Sequence, residues 1–299
     1  MSFAVRTFDE VLAEYERERS DPAWAPLRLG FGSLDADMRG LSPGQVCTIA
    51  ARTAVGKTFL LGSVLDNFAR GRPSDGALTL SLEMPAAEWA ERQLAIYEGV
   101  APEEVERWAR HGELKARSRS FLKGARRLLV CETGLRLPEI RPAIAEARSA
   151  LPGGTPLRLV LVDYLGLIGD SGRSDYERAS AVARGLKGIA KAEGLALIVA
   201  AQLSRAGGDG SAEVGLEMIR DSGAIEEASD FVIGAWRPGQ AKGLTPPEEL
   251  ELANTLRVQL LKNRKGRAGR TVDLAFRDPS RKVYEPADPF AAMEPNLGE

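Results

Sequence analysis

The chain has 299 residues, a hydrophobic fraction of 44% and a formal net charge of −2 at pH 7. This length allows one large domain or two small ones, and the near-neutral charge excludes a globally basic surface for nucleic acid. No secretory leader opens the sequence and no apolar run approaches the ~20 residues of a membrane helix. We therefore expect a soluble, cytoplasmic protein without a membrane partner.

Cysteine and histidine are too rare to define a site. Cys47 and Cys131 lie in separate apolar runs and are too few for a metal centre or a disulfide framework. We expect buried, reduced thiols. The single histidine, His111, lies in a charged stretch and is expected at the surface.

The first predicted element is a charged helix over residues 8–19, with Val11, Leu12 and Tyr15 at helical spacing. Prolines at positions 22 and 26 mark a linker after it. The apolar stripe either folds back onto its own domain or docks on a neighbouring subunit, and these residues alone leave both possibilities open.

The next segment has the pattern of a phosphate-binding loop. Residues 46–50 are an apolar run typical of a short buried strand, and residues 58–69 carry apolar positions at every fourth residue, as on one face of a helix. Between them lie the residues of a candidate P-loop: Ala51, Arg52, Thr53, Ala54, Val55, Gly56, Lys57 and Thr58.

The chemistry of this loop follows from its context of strand, Gly-Lys-Thr turn and helix. Backbone N–H groups of the turn cradle phosphates, Lys57 reaches the β- and γ-phosphates, and the Thr58 hydroxyl binds Mg²⁺. Ala51 replaces the first glycine of the usual pattern. The alternative is a chance Gly-Lys-Thr sequence at the start of a helix.

Strands and helices alternate from here to about residue 285. Near-continuous apolar strands separated by helices predict a mostly parallel sheet covered on both faces. The predicted strands are residues 46–50, 77–81, 127–131, 157–162, 196–201, 231–235, 258–261 and 272–276. The predicted helices after the first one are residues 58–69, 86–99, 103–110, 137–149, 176–193 and 225–228. The last two strands flank a basic, glycine-containing loop and predict a β-hairpin.

Two carboxylates lie within two residues of the end of a predicted strand. Asp163 ends an apolar strand in the Walker B pattern, which delivers it to the carboxyl edge of the sheet, opposite Thr58 on Mg²⁺. Glu83 follows the strand after the P-loop helix and can orient the water that attacks the γ-phosphate. The alternative for Glu83 is an acid at a helix start, because Pro85 and a helix follow.

Three further polar residues have two interpretations each. Gln202 ends a predicted strand and either contacts the γ-phosphate or caps the strand end. Lys262 and Arg264 in the hairpin are either solvated charges or cations that enter the nucleotide site of a neighbouring subunit. The second interpretation requires a ring or filament, in which these cations neutralise charge on the transferred phosphate.

Taken in order, these motifs resemble the RecA-type ATPase domain of the DnaB-like replicative helicases. The resemblance covers about residues 28–284 and includes the P-loop, whose first glycine that family also lacks. Further similar segments are residues 31–35, 40–44, 81–84, 162–165, 185–187, 202–205, 220–226 and 262–266. The resemblance implies an α/β fold with a RecA-like P-loop NTPase core, a mostly parallel twisted sheet, helices on both faces and a C-terminal β-hairpin.

The resemblance also implies an activity. It predicts an ATP- and Mg²⁺-dependent helicase that hydrolyses ATP between the subunits of a hexameric ring and moves along single-stranded DNA. By this analogy Glu83 is the catalytic base, and Lys262 with Arg264 acts in trans. The loop that contacts DNA phosphates in the family corresponds here to Arg220, Asp221 and Gly223.

The same analogy gives partners and boundaries. The helix at residues 8–19 resembles the linker helix that docks on the adjacent subunit, and a helicase loader or primase is a further expected partner. The expected division is a linker helix and linker at 1–26, an ATPase domain at 27–286 and a flexible tail at 287–299.

Three departures from the family pattern qualify the resemblance. We expect a chain that starts almost at the linker and lacks the helical N-terminal collar that recruits primase. The loop at residues 206–216 has no basic residue where the family usually has several, and Asp221 stands where glutamate is common.

Two other function classes stay open from the sequence. The acidic loop and missing collar favour a RecA-fold oligomer with a regulatory, loading or recombination role and no unwinding, whereas the order of the motifs favours the helicase. A monomeric P-loop kinase or transporter ATPase is the third hypothesis, but the chain has no lid or signature segment of either kind.

Overall fold

Nine strands form one sheet in the computed structural model, which describes residues 6–21, 24–170, 174–204, 209–219 and 222–286. The strands are β1 (Val46–Ala51), β2 (Gly76–Ser81), β3 (Leu128–Cys131), β4 (Leu157–Asp163), β5 (Ala196–Gln202), β6 (Phe231–Trp236), β7 (Thr255–Asn263), β8 (Thr271–Arg277) and β9 (Lys282–Tyr284). Their order across the sheet is β3-β2-β4-β5-β1-β6-β7-β8-β9. The strands from β3 to β6 pair in parallel, and β7, β8 and β9 add antiparallel pairs at one side.

Helices cover both faces of this sheet. They are α1 (Phe8–Ser20), α2 (Gly32–Met38), α3 (Lys57–Gly71), α4 (Ala86–Glu98), α5 (Pro102–Arg110), α6 (Leu114–Arg117), α7 (Arg119–Ala125), α8 (Leu137–Ala150), α9 (Asp175–Glu193), α10 (Ser222–Ala228) and α11 (Pro246–Leu252). Among the helices of the described segments, none is long and apolar enough to cross a bilayer.

The predicted elements agree closely with these bounds. Every predicted strand and helix is present, and each end lies within three residues of its predicted position. The sequence patterns missed α2, α6, α7, α11 and β9, which have only three to seven residues each. Elements this short offer too few positions for a period of 3.6 or 2 to be recognised.

The central strand β1 shows why the sheet needs cover on both sides. All six of its residues are buried, and alternate residues enter different apolar layers. Cys47 and Ile49 pack in the layer that contains α3, whereas Val46 and Ala50 pack in the layer that contains α8 and α9. This is the two-sided burial that near-continuous apolar strands predict.

The parallel strands end at one edge of the sheet, which carries Ala51, Asp163 and Gln202. The turn between β7 and β8 lies at the other edge, because antiparallel pairing places Asn263 opposite Phe231, the first residue of β6. The predicted hairpin is therefore confirmed, and it lies at the amino edge of the parallel strands.

Helix α1 does not pack onto its own domain. It begins at a capping box formed by Thr7 and Glu10 and contains no buried residue. Its predicted apolar stripe is exposed to 43% at Val11, 49% at Leu12 and 55% at Tyr15, and Phe8 beside it is exposed to 75%. Of the two possibilities for this stripe, folding back is excluded for the described part of the chain.

The cysteines are free, and burial raises the pKa of the Cys47 thiol. Cys131 is partly exposed, which corrects the expectation of a buried thiol: it ends β3, the outermost strand on its side of the sheet. His111 is exposed as predicted. The predicted tail, residues 287–299, lies outside the described residues.

Candidate active site at the carboxyl edge of the sheet

The P-loop, residues 51–58, connects β1 to α3 as the sequence predicts. Gly56 precedes the helix at φ +114°, a left-handed conformation, and a Cβ atom there would lie 2.7 Å from the Phe276 ring. Only glycine suits both the backbone angle and the close approach. The first N–H groups of a helix have no partner within the helix, so the start of α3 is a ready site for an anion.

Lys57 is folded back against the end of β1. Its Nζ donates to the Ala51 carbonyl at 3.2 Å and lies 5.9 Å from the centre of the Tyr164 ring. Burial lowers the pKa of Lys57, while the charges of Asp163 and Glu83 raise it. The ammonium group is therefore held at the loop by one weak hydrogen bond and two nearby carboxylates.

Thr58 and Asp163 meet across the loop. The Thr58 hydroxyl donates to Oδ2 of Asp163 at 3.0 Å, and Asp163 is completely buried. Its other oxygen, Oδ1, has no hydrogen-bond partner in the described part of the chain. Burial raises the pKa of Asp163. A buried, unpaired carboxylate oxygen beside a hydroxyl fits Mg²⁺, which prefers oxygen ligands.

Glu83 and Gln202 border the same cavity of about 340 Å³ as the P-loop. The Glu83 N–H donates to the Asp163 carbonyl at 3.2 Å, which places the two acidic residues on neighbouring strand ends. The Gln202 amide donates to the Thr53 hydroxyl at 2.5 Å, and Glu83 is exposed, so water reaches it. The structure thus brings together the predicted site residues of the P-loop with Asp163, Glu83 and Gln202.

Two charged residues of this cavity were not predicted from the sequence. Glu88 and Arg92 lie one turn apart on α4 and line the cavity. The guanidinium of Arg92 lies 5.6 Å from the centre of the Phe59 ring. Their spacing of four residues indicates a shared helix face, but only the packing of α4 shows which face borders the cavity.

Lys262 and Arg264 do not join this cavity. They lie at the amino edge of the sheet, away from the P-loop of their own chain. Lys262 Nζ donates to the Glu226 carbonyl at 2.5 Å, and burial lowers the pKa of Lys262. Arg264 pairs with Asp230 at 2.8 Å, and its side chain is 55% exposed. Any contact of these cations with a nucleotide therefore requires a second copy of the chain.

The predicted DNA-contact residues are only partly described. Gly223 is exposed in the first turn of α10, whereas Arg220 and Asp221 lie outside the described residues.

Comparison with known proteins places the chain in a family. The model of the family described as DnaB-like helicase C terminal domain matches residues 27–285. The chain is 30% identical to the replicative DNA helicase DnaC of Bacillus subtilis (strain 168), covering 91% of this chain and 58% of that protein. It is 30% identical to the replicative DNA helicase DnaB of Mycoplasma genitalium, covering 95% of this chain and 62% of that protein. The chain thus spans about three fifths of the length of these relatives.

Solved structures share the fold. The ATPase domain of G40P superposes with a TM-score of 0.79 at 23% identity, covering 94% of this chain and 99% of that one. A DnaB-like replicative helicase, solved in a study of its interactions with primase, gives a TM-score of 0.76 at 23% identity, covering 94% and 67%. These likenesses confirm the predicted RecA-like α/β fold. Since the family model matches most of the sequence, the chain belongs to the DnaB-like helicase C-terminal domain family.

Proposed function

We propose that the chain is the ATPase motor of a DnaB-like DNA helicase, which hydrolyses ATP between adjacent copies of itself. The observation that carries this proposal is the separation of two half-sites. The P-loop, Asp163 and Glu83 lie at the carboxyl edge of the sheet, whereas Lys262 and Arg264 lie at the amino edge. A head-to-tail interface that joins opposite edges repeats around a closed ring, and we propose a hexamer.

We call the P-loop with Asp163, Glu83 and Gln202 the cradle. Each of these residues has its own proposed role at the triphosphate. Lys57 gives up its hydrogen bond to the Ala51 carbonyl and binds the β- and γ-phosphates. Thr58 and Asp163 would hold Mg²⁺, which would supply positive charge that neutralises the phosphates. Glu83 orients the attacking water and accepts its proton. Gln202, which already touches the P-loop through Thr53, contacts the γ-phosphate.

The neighbouring copy completes the site. Arg264, with Lys262 beside it, neutralises the charge that develops on the γ-phosphate in the transition state. A cation supplied in trans is worth about 10³–10⁵ in rate in related phosphoryl transfers.

DNA contact belongs to the same proposal. Arg220, Asp221 and Gly223 contact phosphates of single-stranded DNA inside the ring, independently of sequence and with strong salt dependence. A loader or primase is a further proposed partner; one structural relative was studied with its primase. The division at residues 26 and 286 and a cytoplasmic location stay predictions of this hypothesis.

A subunit-mixing experiment tests the shared site. Arg264→Ala subunits keep the cradle and lose the trans cation, and Glu83→Gln subunits do the opposite. Each variant alone is expected to lack ATP hydrolysis, whereas a mixture regains part of it because some interfaces combine Glu83 with Arg264.

Mixing Glu83→Gln with Lys57→Ala is the matched control, since every cradle is then damaged and no recovery is expected. Failure of the first mixture to recover, in rings shown by mass to contain both variants, contradicts a shared site.

A fork-unwinding assay tests whether the ATPase is a motor. ATP hydrolysis that single-stranded DNA does not stimulate, together with no strand separation, would favour a regulatory oligomer.

A further inference from the structure

A buried carboxylate lies at the base of the hairpin, outside the nucleotide cavity. Asp230 precedes β6 at the amino edge of the sheet and is 1% exposed. Its Oδ2 accepts the Val46 N–H at 2.8 Å and Lys187 Nζ at 2.5 Å, and its Oδ1 accepts Arg264 Nη1 at 2.8 Å. One buried carboxylate therefore joins the start of β1, α9 and the hairpin.

The backbone of Asp230 makes the same connections. Its N–H donates to the Val46 carbonyl at 2.8 Å, and its carbonyl accepts the Arg264 N–H at 3.0 Å. The adjacent Ser229 hydroxyl is hydrogen-bonded to Thr48 of β1 at 2.7 Å. Arg264 is thus attached through Asp230 to the first residue of the strand whose other end is the P-loop.

The guanidinium of Arg264 is held by Asp230 and is still accessible to a partner. Nη1 is the guanidinium atom that pairs with Asp230, and the side chain is 55% exposed. A guanidinium carries five N–H donors, so this pairing leaves most of them for a phosphate. Arginine side chains have many rotamers, and a buried acceptor at the base removes most of them before a partner arrives.

We propose that Asp230 is the positioning residue for Arg264, holding its guanidinium where the triphosphate site of the adjacent copy meets it. This inference rests on the proposed function, because it assumes that Arg264 acts in trans. Lys187 balances the charge: its Nζ donates to Oδ2 of Asp230 and, at 2.8 Å, to the Gly44 carbonyl.

The test removes the carboxylate without leaving a buried cation unpaired, since Arg264 is half-exposed and stays solvated. Asp230→Asn alone leaves Lys187 with no charged partner, and such a variant can fail to fold. The double variant Asp230→Asn/Lys187→Met removes both charges and keeps the shape of the site. We expect its kcat for ATP hydrolysis to fall about 10- to 100-fold, the effect of a misplaced catalytic group, with KM within about twofold of the original chain.

Lys187→Met is the matched control and is expected to keep its kcat, since Asp230 still holds Arg264. Mixing the double variant with Glu83→Gln subunits gives a readout that a merely structural defect would not move. We expect recovery in the mixture, because the double variant retains an intact cradle that an Arg264 from the other variant can serve.

Wild-type kcat in the double variant, alongside an inactive Arg264→Ala, overturns the inference and spares the proposed function. An inactive double variant that Glu83→Gln subunits do not rescue also overturns it, because the cradle is then damaged as well. Full activity of Arg264→Ala would refute the proposed function itself, and the inference with it.

Discussion

Asp163 is a single residue whose environment disfavours its charged form. It is completely buried, one of its oxygens is unpaired, and burial raises its pKa. Thr58 and Lys57 oppose that rise without cancelling it. A carboxylate in this state is stabilised when a cation binds, so we expect the free chain to be less stable than it would be with a neutral residue at this position.

We predict that Asp163→Asn is more stable than the original chain at neutral pH without nucleotide. A raised pKa in the folded state means that the protonated form adds stability at low pH, which is lost as pH rises through that pKa. The amide removes this loss, so the variants should differ most near pH 7 and converge towards pH 4. Urea denaturation at several pH values measures the difference in the free energy of unfolding.

The same variant should lose the Mg²⁺-dependent part of its stabilisation by ATP, which separates the two effects. A lower stability of Asp163→Asn at pH 7 would contradict the argument from burial.

If the proposed function is right, we expect Lys57 to contribute more to nucleotide affinity than any other side chain of the P-loop. At a ligand concentration of about 100 times Kd, binding adds about 2.7 kcal/mol to the free energy of unfolding. Lys57→Ala should abolish this gain, measured as the shift in melting temperature with ATP and Mg²⁺. Lys115→Ala, at an exposed lysine of α6, is the control and should keep the full shift. A full shift in Lys57→Ala would disprove the P-loop assignment.

At the scale of elements, the junction between β1 and α3 depends on one glycine. Gly56 combines a left-handed φ with a Phe276 ring that would lie 2.7 Å from an added Cβ atom. Phe276 is itself held in an edge-to-face contact with Phe59, with ring centres 6.5 Å apart, so it cannot retreat without disturbing α3.

We predict that Gly56→Ala destabilises the fold by about 1–3 kcal/mol, as overpacking typically does, and also weakens ATP binding. The control is Gly71→Ala, at the other end of α3, where an added Cβ meets nothing within 4 Å. That change should be neutral or stabilising by up to about 1 kcal/mol. Chemical denaturation measures the free energy of unfolding of both variants. Equal values would count against the steric argument.

For the hairpin, the strands could be predicted from the sequence but the contacts could not. Its two strands and basic loop follow from sequence, because apolar residues alternate on either side of a glycine-containing turn. Its contacts do not: Asp230 is 34 residues from Arg264, and no local pattern pairs them. Arg92 is a similar case, since helical spacing gives its face but not the cavity that the face borders.

At the scale of the whole molecule, the exposed stripe of α1 is the feature that a single copy leaves unexplained. A capped helix with Phe8, Leu12 and Tyr15 exposed has its apolar side free for a second copy. Each fully buried Phe or Leu is worth about 1.5–3 kcal/mol, and about 1.4 kcal/mol changes an association constant tenfold.

We therefore predict that Phe8→Ser/Leu12→Ser raises the concentration needed for self-association by about tenfold or more, without lowering the stability of the domain. Sedimentation velocity measures the assembly, and thermal melting checks the fold. Arg17→Gln, on the opposite side of α1, is the control and should assemble normally. Unchanged assembly of the double variant would exclude α1 from the interface.

Local patterns in the sequence were enough to predict the longer strands and helices and a candidate P-loop: apolar periodicity, a Gly-Lys-Thr turn, and acids near strand ends. Contacts between distant segments could not be read from these patterns. The fold brings Glu83 and Gln202 to one cavity with the P-loop, places Asp163 against Thr58, and holds Arg264 at the opposite edge on a buried aspartate. Strand order and direction arise from the packing of distant segments, and they alone set which strand ends share an edge.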